Sequence, residues 1–164
     1  MKVAALALLV VAAPVAARDT LGVFGRWGAF RDAQPARCFA IARPIEPRGR
    51  SGGFASVASW PGRGVRSAIS LRLSRPRDAS LPVTLTIGER RFALAGSTTG
   101  VWAADPASDR AIVAAMRGGR SMSVEAVAPR GHPFADVYAL AGAATAIDAA
   151  ALGCVPAPRA TRLP

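Results

Sequence analysis

A period-two recurrence of apolar side chains constrains this chain more than any other feature. Val65, Ser67, Ile69, Leu71 and Leu73 occupy every second position, and Val83, Leu85 and Ile87 alternate with threonines. Successive side chains of a strand point to opposite faces, so such runs specify strands with one buried side. Arg72, between Leu71 and Leu73, is then expected to face away from the core. Strands are also predicted over 26–31 with Trp27 and Phe30, over the short apolar runs 38–42 and 54–60, over 101–103, and by alternation over 122–126 and 137–140. Gly88-Glu89 offers a tight turn with glycine first, which returns the chain through Phe92 and Leu94. About eight or nine short strands with closely spaced turns predict a mainly β fold, an antiparallel β-sandwich.

Two short α-helices are expected beside the strands. Asp105 is a capping residue and Pro106 suits the first helical position. Ile112, Val113 and Met116 recur at helical spacing, and Gly118-Gly119 ends the run. A second helix is predicted over 142–152. Ile147, Ala151 and Cys154 fall on one face of it, which would dock on the sheet and bring Cys154 toward Cys38. The Pro-, Gly- and Arg-rich stretch 43–53 reads as a loop. Trp27 and Trp102 are expected to fill the core, whereas Trp60, just before Pro61-Gly62, is expected to be partly exposed.

The ends of the chain speak to compartment. Lys2, an apolar run to Val15 and small residues at Ala16-Ala17 have the pattern of a cleaved export signal over 1–17. That run is shorter than the about 20 apolar residues that span a bilayer, and no later stretch is long enough, so no transmembrane anchor is expected. The folded domain is placed at 18–154 and a flexible tail at 155–164. A periplasmic or secreted location follows. In such an oxidising compartment two isolated cysteines, Cys38 and Cys154, favour a disulfide over two free thiols or a catalytic cysteine.

The formal net charge is +11, and every basic residue except Lys2 is arginine. Such a balance allows two readings, a patch for anionic partners or a solvated surface. Arg48, Arg50, Arg63 and Arg66 are the candidate patch, suited to anionic lipid or lipopolysaccharide. Nucleic acid is not suggested, since helix-turn-helix, zinc-finger and base-stacking patterns are all missing.

No catalytic centre emerges. His132 is the only histidine, set in the turn-like Arg130-Gly131-His132-Pro133. A triad with Asp136 and Ser121 or Ser123 can be drawn, but no G-x-S-x-G turn accompanies it. A metal site needs three or four convergent ligands, and phosphate-loop and dinucleotide fingerprints are absent. Neither metal nor cofactor is therefore expected, and the chain reads as non-enzymatic. The alternative is an envelope hydrolase using His132 and Asp136.

Four stretches together resemble the invasion-associated locus B family of envelope proteins. They are Trp27-Gly28-Ala29-Phe30 with Cys38-Phe39-Ala40 and Pro44; Val83 to Gly88 with Phe92 and Leu94; Trp102-Ala103 with Asp105, Ile112 to Arg117 and Met122; and Arg130-Gly131 with Tyr138, Leu140, Gly142 and Cys154. The resemblance implies an exported protein of a Gram-negative envelope with an immunoglobulin-like sandwich and no recognised catalytic residues. The export signal, the sandwich pattern and the missing active site point to a binding or surface-associated role, with an envelope protein or, on the charge, an anionic surface component as partner. Members of the family often carry a further cysteine shortly after the tryptophan. Phe30 and Arg31 stand there in this chain, so a second disulfide is not expected.

Overall fold

The computed structural model describes residues 18–46 and 52–155. The expected export signal, positions 47–51 with Arg48 and Arg50, and the tail beyond Val155 lie outside the described residues.

The chain forms strands β1 (Arg18–Phe24), β2 (Trp27–Asp32), β3 (Arg37–Ala42), β4 (Phe54–Trp60), β5 (Val65–Arg72), β6 (Val83–Ile87), β7 (Arg90–Gly96) and β8 (Gly100–Ala103). Helix α1 (Pro106–Gly118), β9 (Ser121–Val127), β10 (Pro133–Ala139) and helix α2 (Ala143–Gly153) complete it. All described strands join one antiparallel sheet, ordered β1-β2-β3-β4-β5-β8-β7-β6-β9-β10. The β6–β7 hairpin has the expected two-residue turn, with Ile87 opposite Arg90 and Gly88 at φ +58°.

A sheet of this width twists and curls rather than staying open. Here it turns its inner faces on one another like a sandwich. Inward residues of β2 to β6 and β8 to β10 share one core with both helices, from Trp27, Ile69 and Leu71 to Val101, Val124 and Tyr138. The two ends of the sheet also meet through hydrogen bonds. The Trp27 indole donates to the Ala139 carbonyl at 2.8 Å, and the Ile45 backbone N–H donates to the Val137 carbonyl at 2.8 Å. Ile45 thereby covers part of the β10 edge, where unpaired backbone groups would otherwise invite another strand.

Both helices form where their local signals place them. Asp105 caps α1, its carboxylate accepting the N–H groups of Ala107 and Ser108 at 2.7 and 2.9 Å. Ile112, Val113 and Met116 are buried. On α2 the buried face is Ala143, Ala146, Ile147 and Ala150. Ala151 is exposed, so the expected face is rotated about the helix axis. The reason is the small side chains of α2, which nest on Ala29, Cys38 and Ala40, the equally small inner residues of β2 and β3. Gly142 begins α2 at φ +87°, and a Cβ there would collide with the Phe24 carbonyl. The turn after β1 and the entry to α2 are thus in backbone contact, which only glycine permits. The Cys38–Cys154 disulfide then fastens the end of α2 to β3, with Cα atoms 5.7 Å apart.

Two strand readings are corrected. Strand β1 is not signalled by alternation; it is an exposed edge whose residues are mostly solvated. In β5 the alternation breaks early. The β4–β5 register shifts between Ala58 and Trp60, Ser67 takes φ +51°, and Val65 is 37% exposed instead of facing the core. The Ser67 N–H donates to Ser59 Oγ at 3.0 Å, which supports the unusual backbone. Strand β8 reaches β5 only from Ser70 to Arg72. Beyond it, Asp109 of α1 accepts the Ile69 N–H at 2.7 Å and blocks the free edge.

Candidate binding face

The outer face of the sheet carries features that a merely solvated surface does not require. Reading across the strands in register, Ile41 of β3 lies beside Ser56 of β4, then Ser70 of β5, then Trp102 of β8. The next row holds Phe54, Arg72 and Gly100. The row on the other side holds Phe30, Phe39, Ala58 and Ala68. Small residues therefore floor a trough, and large aromatic ones wall it. Ser56 and Ala58 point outward yet are only 7% and 3% exposed, because Phe39, Phe54 and Trp60 stand over them. The cavity so formed has a volume of about 230 Å3.

Arginines line one side of this trough. The Arg18 guanidinium lies 6.0 Å from the Phe30 ring centre and 5.2 Å from that of Phe39, and Arg37 lies 4.3 Å from Phe39. Stacked guanidinium groups of this kind gain from the negative face of the ring. Asp32 accepts from both, from Arg18 Nε at 2.7 Å and Arg37 Nη2 at 2.6 Å. The Arg18 hydrogen bond is the main reason the Asp32 carboxyl stays ionised below its usual range, with Arg37 adding to it and burial opposing it. Two arginines on one aspartate leave the cluster with a net positive charge. At the far end Arg72 is exposed and makes no ion pair among the described residues.

Trp102 is a correction and the residue that defines the face. It was expected in the core and is 47% exposed. Val101 and Ala103 take the inward positions of the short β8 strand, so Trp102 faces out by the same alternation. Trp60 is half-buried, as expected, and Trp27 is fully buried. Arg72 is exposed between the buried Leu71 and Leu73.

The other candidate residues are scattered. Arg63 and Arg66 are exposed, and Arg66 lines a separate groove of about 570 Å3 beside Cys154, Ser59 and Ser67. His132 sits exposed in the turn before β10, where its carbonyl accepts the Ala128 N–H at 2.9 Å. Asp136 faces inward at 2% exposure and accepts the Ser74 N–H at 2.8 Å. Ser121 and Ser123 alternate with the buried Met122 and Val124 and so face outward, on the opposite side of the sheet from Asp136. The arrangement therefore holds a buried structural carboxylate rather than an assembled triad. Beside Asp136, the Tyr138 hydroxyl is buried, and its pKa is driven up first by burial and then by the Asp136 charge. Among the described residues no group of three or more His, Cys, Asp or Glu is placed to hold a metal, and no helix is long and apolar enough to cross a membrane.

One buried charge escapes any reading of the sequence. Arg77 is 4% exposed, in the segment between β5 and β6. Its guanidinium donates to the carbonyls of Ser97, Asp78, Leu81 and Gly96 at 2.7–3.0 Å, and its backbone N–H donates to Thr98 at 2.8 Å. It stitches this segment to the β7–β8 turn and thereby fixes the position of β8, which carries Trp102.

No protein-family profile and no curated protein matches the sequence. Among solved structures, the chain is similar to invasion associated protein B from Bartonella henselae, with a TM-score of 0.60 and 22% identity. The match covers 82% of this chain and 97% of that one. Identity at this level shows the fold: the chain has the β architecture of invasion associated protein B, closed here by the Cys38–Cys154 disulfide.

Proposed function

We propose that the chain is an exported, non-enzymatic envelope protein that binds a partner across the outer face of β2 to β5 and β8. One observation carries this reading: Trp102 lies exposed beside a recessed, aromatic-walled trough rimmed by arginine. A tryptophan that is exposed beside aromatic and arginine side chains has the composition found at binding surfaces. The fold shared with invasion associated protein B, and a disulfide of the kind an oxidising compartment maintains, favour an envelope role. A photo-cross-linking residue placed at Ser70 in the full-length chain, expressed with its own leader, tests the reading. Adducts in the envelope fraction that are absent when the probe sits at Glu89, on the β6–β7 turn, are expected. Identical labelling from both positions, or a protein retained in the cytoplasm at full-length mass with free thiols, would overturn it.

A second reading is favoured by Arg63 and Arg66, exposed beside the groove at Cys154. Arg63 and Arg66 would supply an electrostatic site for anionic lipid or lipopolysaccharide, while Arg48 and Arg50 lie outside the described residues. Such binding weakens sharply as salt rises. Vesicle binding that ignores salt, or survives loss of all four arginines, counts against it.

A further inference from the structure

We infer that the outer-face trough binds an acidic saccharide, one sugar ring stacking on Trp102 with its carboxylate against Arg72. This deepens the binding role proposed above and rests on it. Trp102 and Arg72 are brought together by register. Arg72 pairs with Gly100, and Trp102 follows two positions along β8 on the same face. The Trp102 ring leans back over Gly100, its Cζ3 4.0 Å from where a Cβ would stand, so the missing side chain lets the ring lie toward the row that holds Arg72. Ser70 lies beside Trp102 in register, and Ser56 lies one strand further.

The chemistry of the face selects among occupants. Strand β8 is hydrogen-bonded to β5 and β7, so the face offers an extended peptide no backbone pairing. Its floor of Ser56 and Ala58 is recessed and Trp102 is its one strongly exposed aromatic side chain among the described residues, which offers little to insert among lipid tails. A flat ring face, hydroxyls and a guanidinium without a carboxylate partner suit a ring with axial C–H groups, hydroxyls and an acidic group. Arginine holds a carboxylate through two parallel hydrogen bonds. The cavity of about 230 Å3 adjoins this site through Ser70 and is not lined by Trp102 or Arg72; smaller than the roughly 300–1,000 Å3 of pockets that enclose a drug-sized ligand, it suits a neighbouring residue of a longer chain lying along the sheet.

Titration of the intact exported protein with an oligogalacturonate, a neutral glucan oligomer of equal ring count and phosphatidylglycerol vesicles tests this. The acidic oligomer is expected to bind and to change tryptophan emission, with the neutral one at least about tenfold weaker, as loss of a charge-assisted hydrogen bond implies. Arg72→Gln should lower affinity by a similar factor, Trp102→Ala should abolish the emission change, and Ser70→Trp should fill the trough and block binding. All three positions face outward, so unchanged thermal midpoints are expected. Equal binding of both oligomers, binding of vesicles alone, or full binding by Arg72→Gln and Ser70→Trp overturns the inference. Specific cross-linking from Ser70 to an envelope protein, with no saccharide bound, overturns it while leaving the binding role in place.

Discussion

The indole of Trp27 on β2 and the carbonyl of Ala139 on β10, 112 residues apart in sequence, are joined by a 2.8 Å hydrogen bond. A fully buried indole needs a partner for its N–H, and this partner lies at the opposite end of the strand order. Together with the bond from the Ile45 N–H to the Val137 carbonyl, this bond closes the sheet.

Trp27→Phe keeps an aromatic core residue and removes the donor. The Ala139 carbonyl is left without it, which costs about 1–3 kcal/mol. Denaturant unfolding should show this as a lower midpoint with an unchanged slope, while Trp60→Phe, at a half-buried position, should shift the midpoint much less.

Reduction of the Cys38–Cys154 bridge, or its replacement by alanines, should lower stability by about 4–5 kcal/mol, as expected for a loop spanning 116 positions. Thermal unfolding with and without reductant measures it. A midpoint indifferent to reductant would show that packing of α2 alone holds the chain end.

Arg77→Ala should be among the most damaging single changes outside the core. It strips partners from the part-buried carbonyls of Gly96, Ser97, Asp78 and Leu81, and an acceptor left without partner or water costs up to about 1–3 kcal/mol. Hydrogen exchange should localise the loss to β7 and β8, and Trp102 emission should shift as its strand loosens. Arg77→Lys should rescue only part, because an ammonium group lacks the planar fork that reaches four carbonyls.

Acid should weaken the β1–β2–β3 edge through Asp32. Its folded-state pKa lies below the ordinary 3.8, mainly because of the Arg18 hydrogen bond, so its contribution is present above 3.8 and is lost as pH falls through the depressed value. Asp32→Asn should therefore be less stable than the parent at neutral pH and should lose less on acidification. Unfolding followed across that window, at low and high salt, checks the sign.

How much of this was legible in the sequence depends on the range over which each feature is set. The ends of β4 and the bounds of α1 could be read because a short apolar run, the Asp105 cap and Pro106 act within a few residues. Arg72 was placed correctly for the same reason. Strand β1 was missed because an edge strand need not bury one face. Trp102 was misplaced because size suggested core, whereas the parity of β8, with Val101 and Ala103 inward, turned it outward. The trough has no sequence signature, since its floor and walls come from separate strands. Residues such as Ser56 and Ala58 look unremarkable until register sets them between Phe39, Phe54 and Trp60.

The sequence by itself determined the strand-rich class, the two helices and the two cysteines available for a bridge, because backbone preference, capping and side-chain period are local. Only the tertiary structure decided the closure of the sheet through Trp27 and Ala139, the buried face of α2, the role of Arg77 and the register that sets Arg72 one row from Trp102. Each depends on which strands become neighbours and in which register, and that is fixed by burial of the shared core over long stretches of chain, which no local pattern encodes.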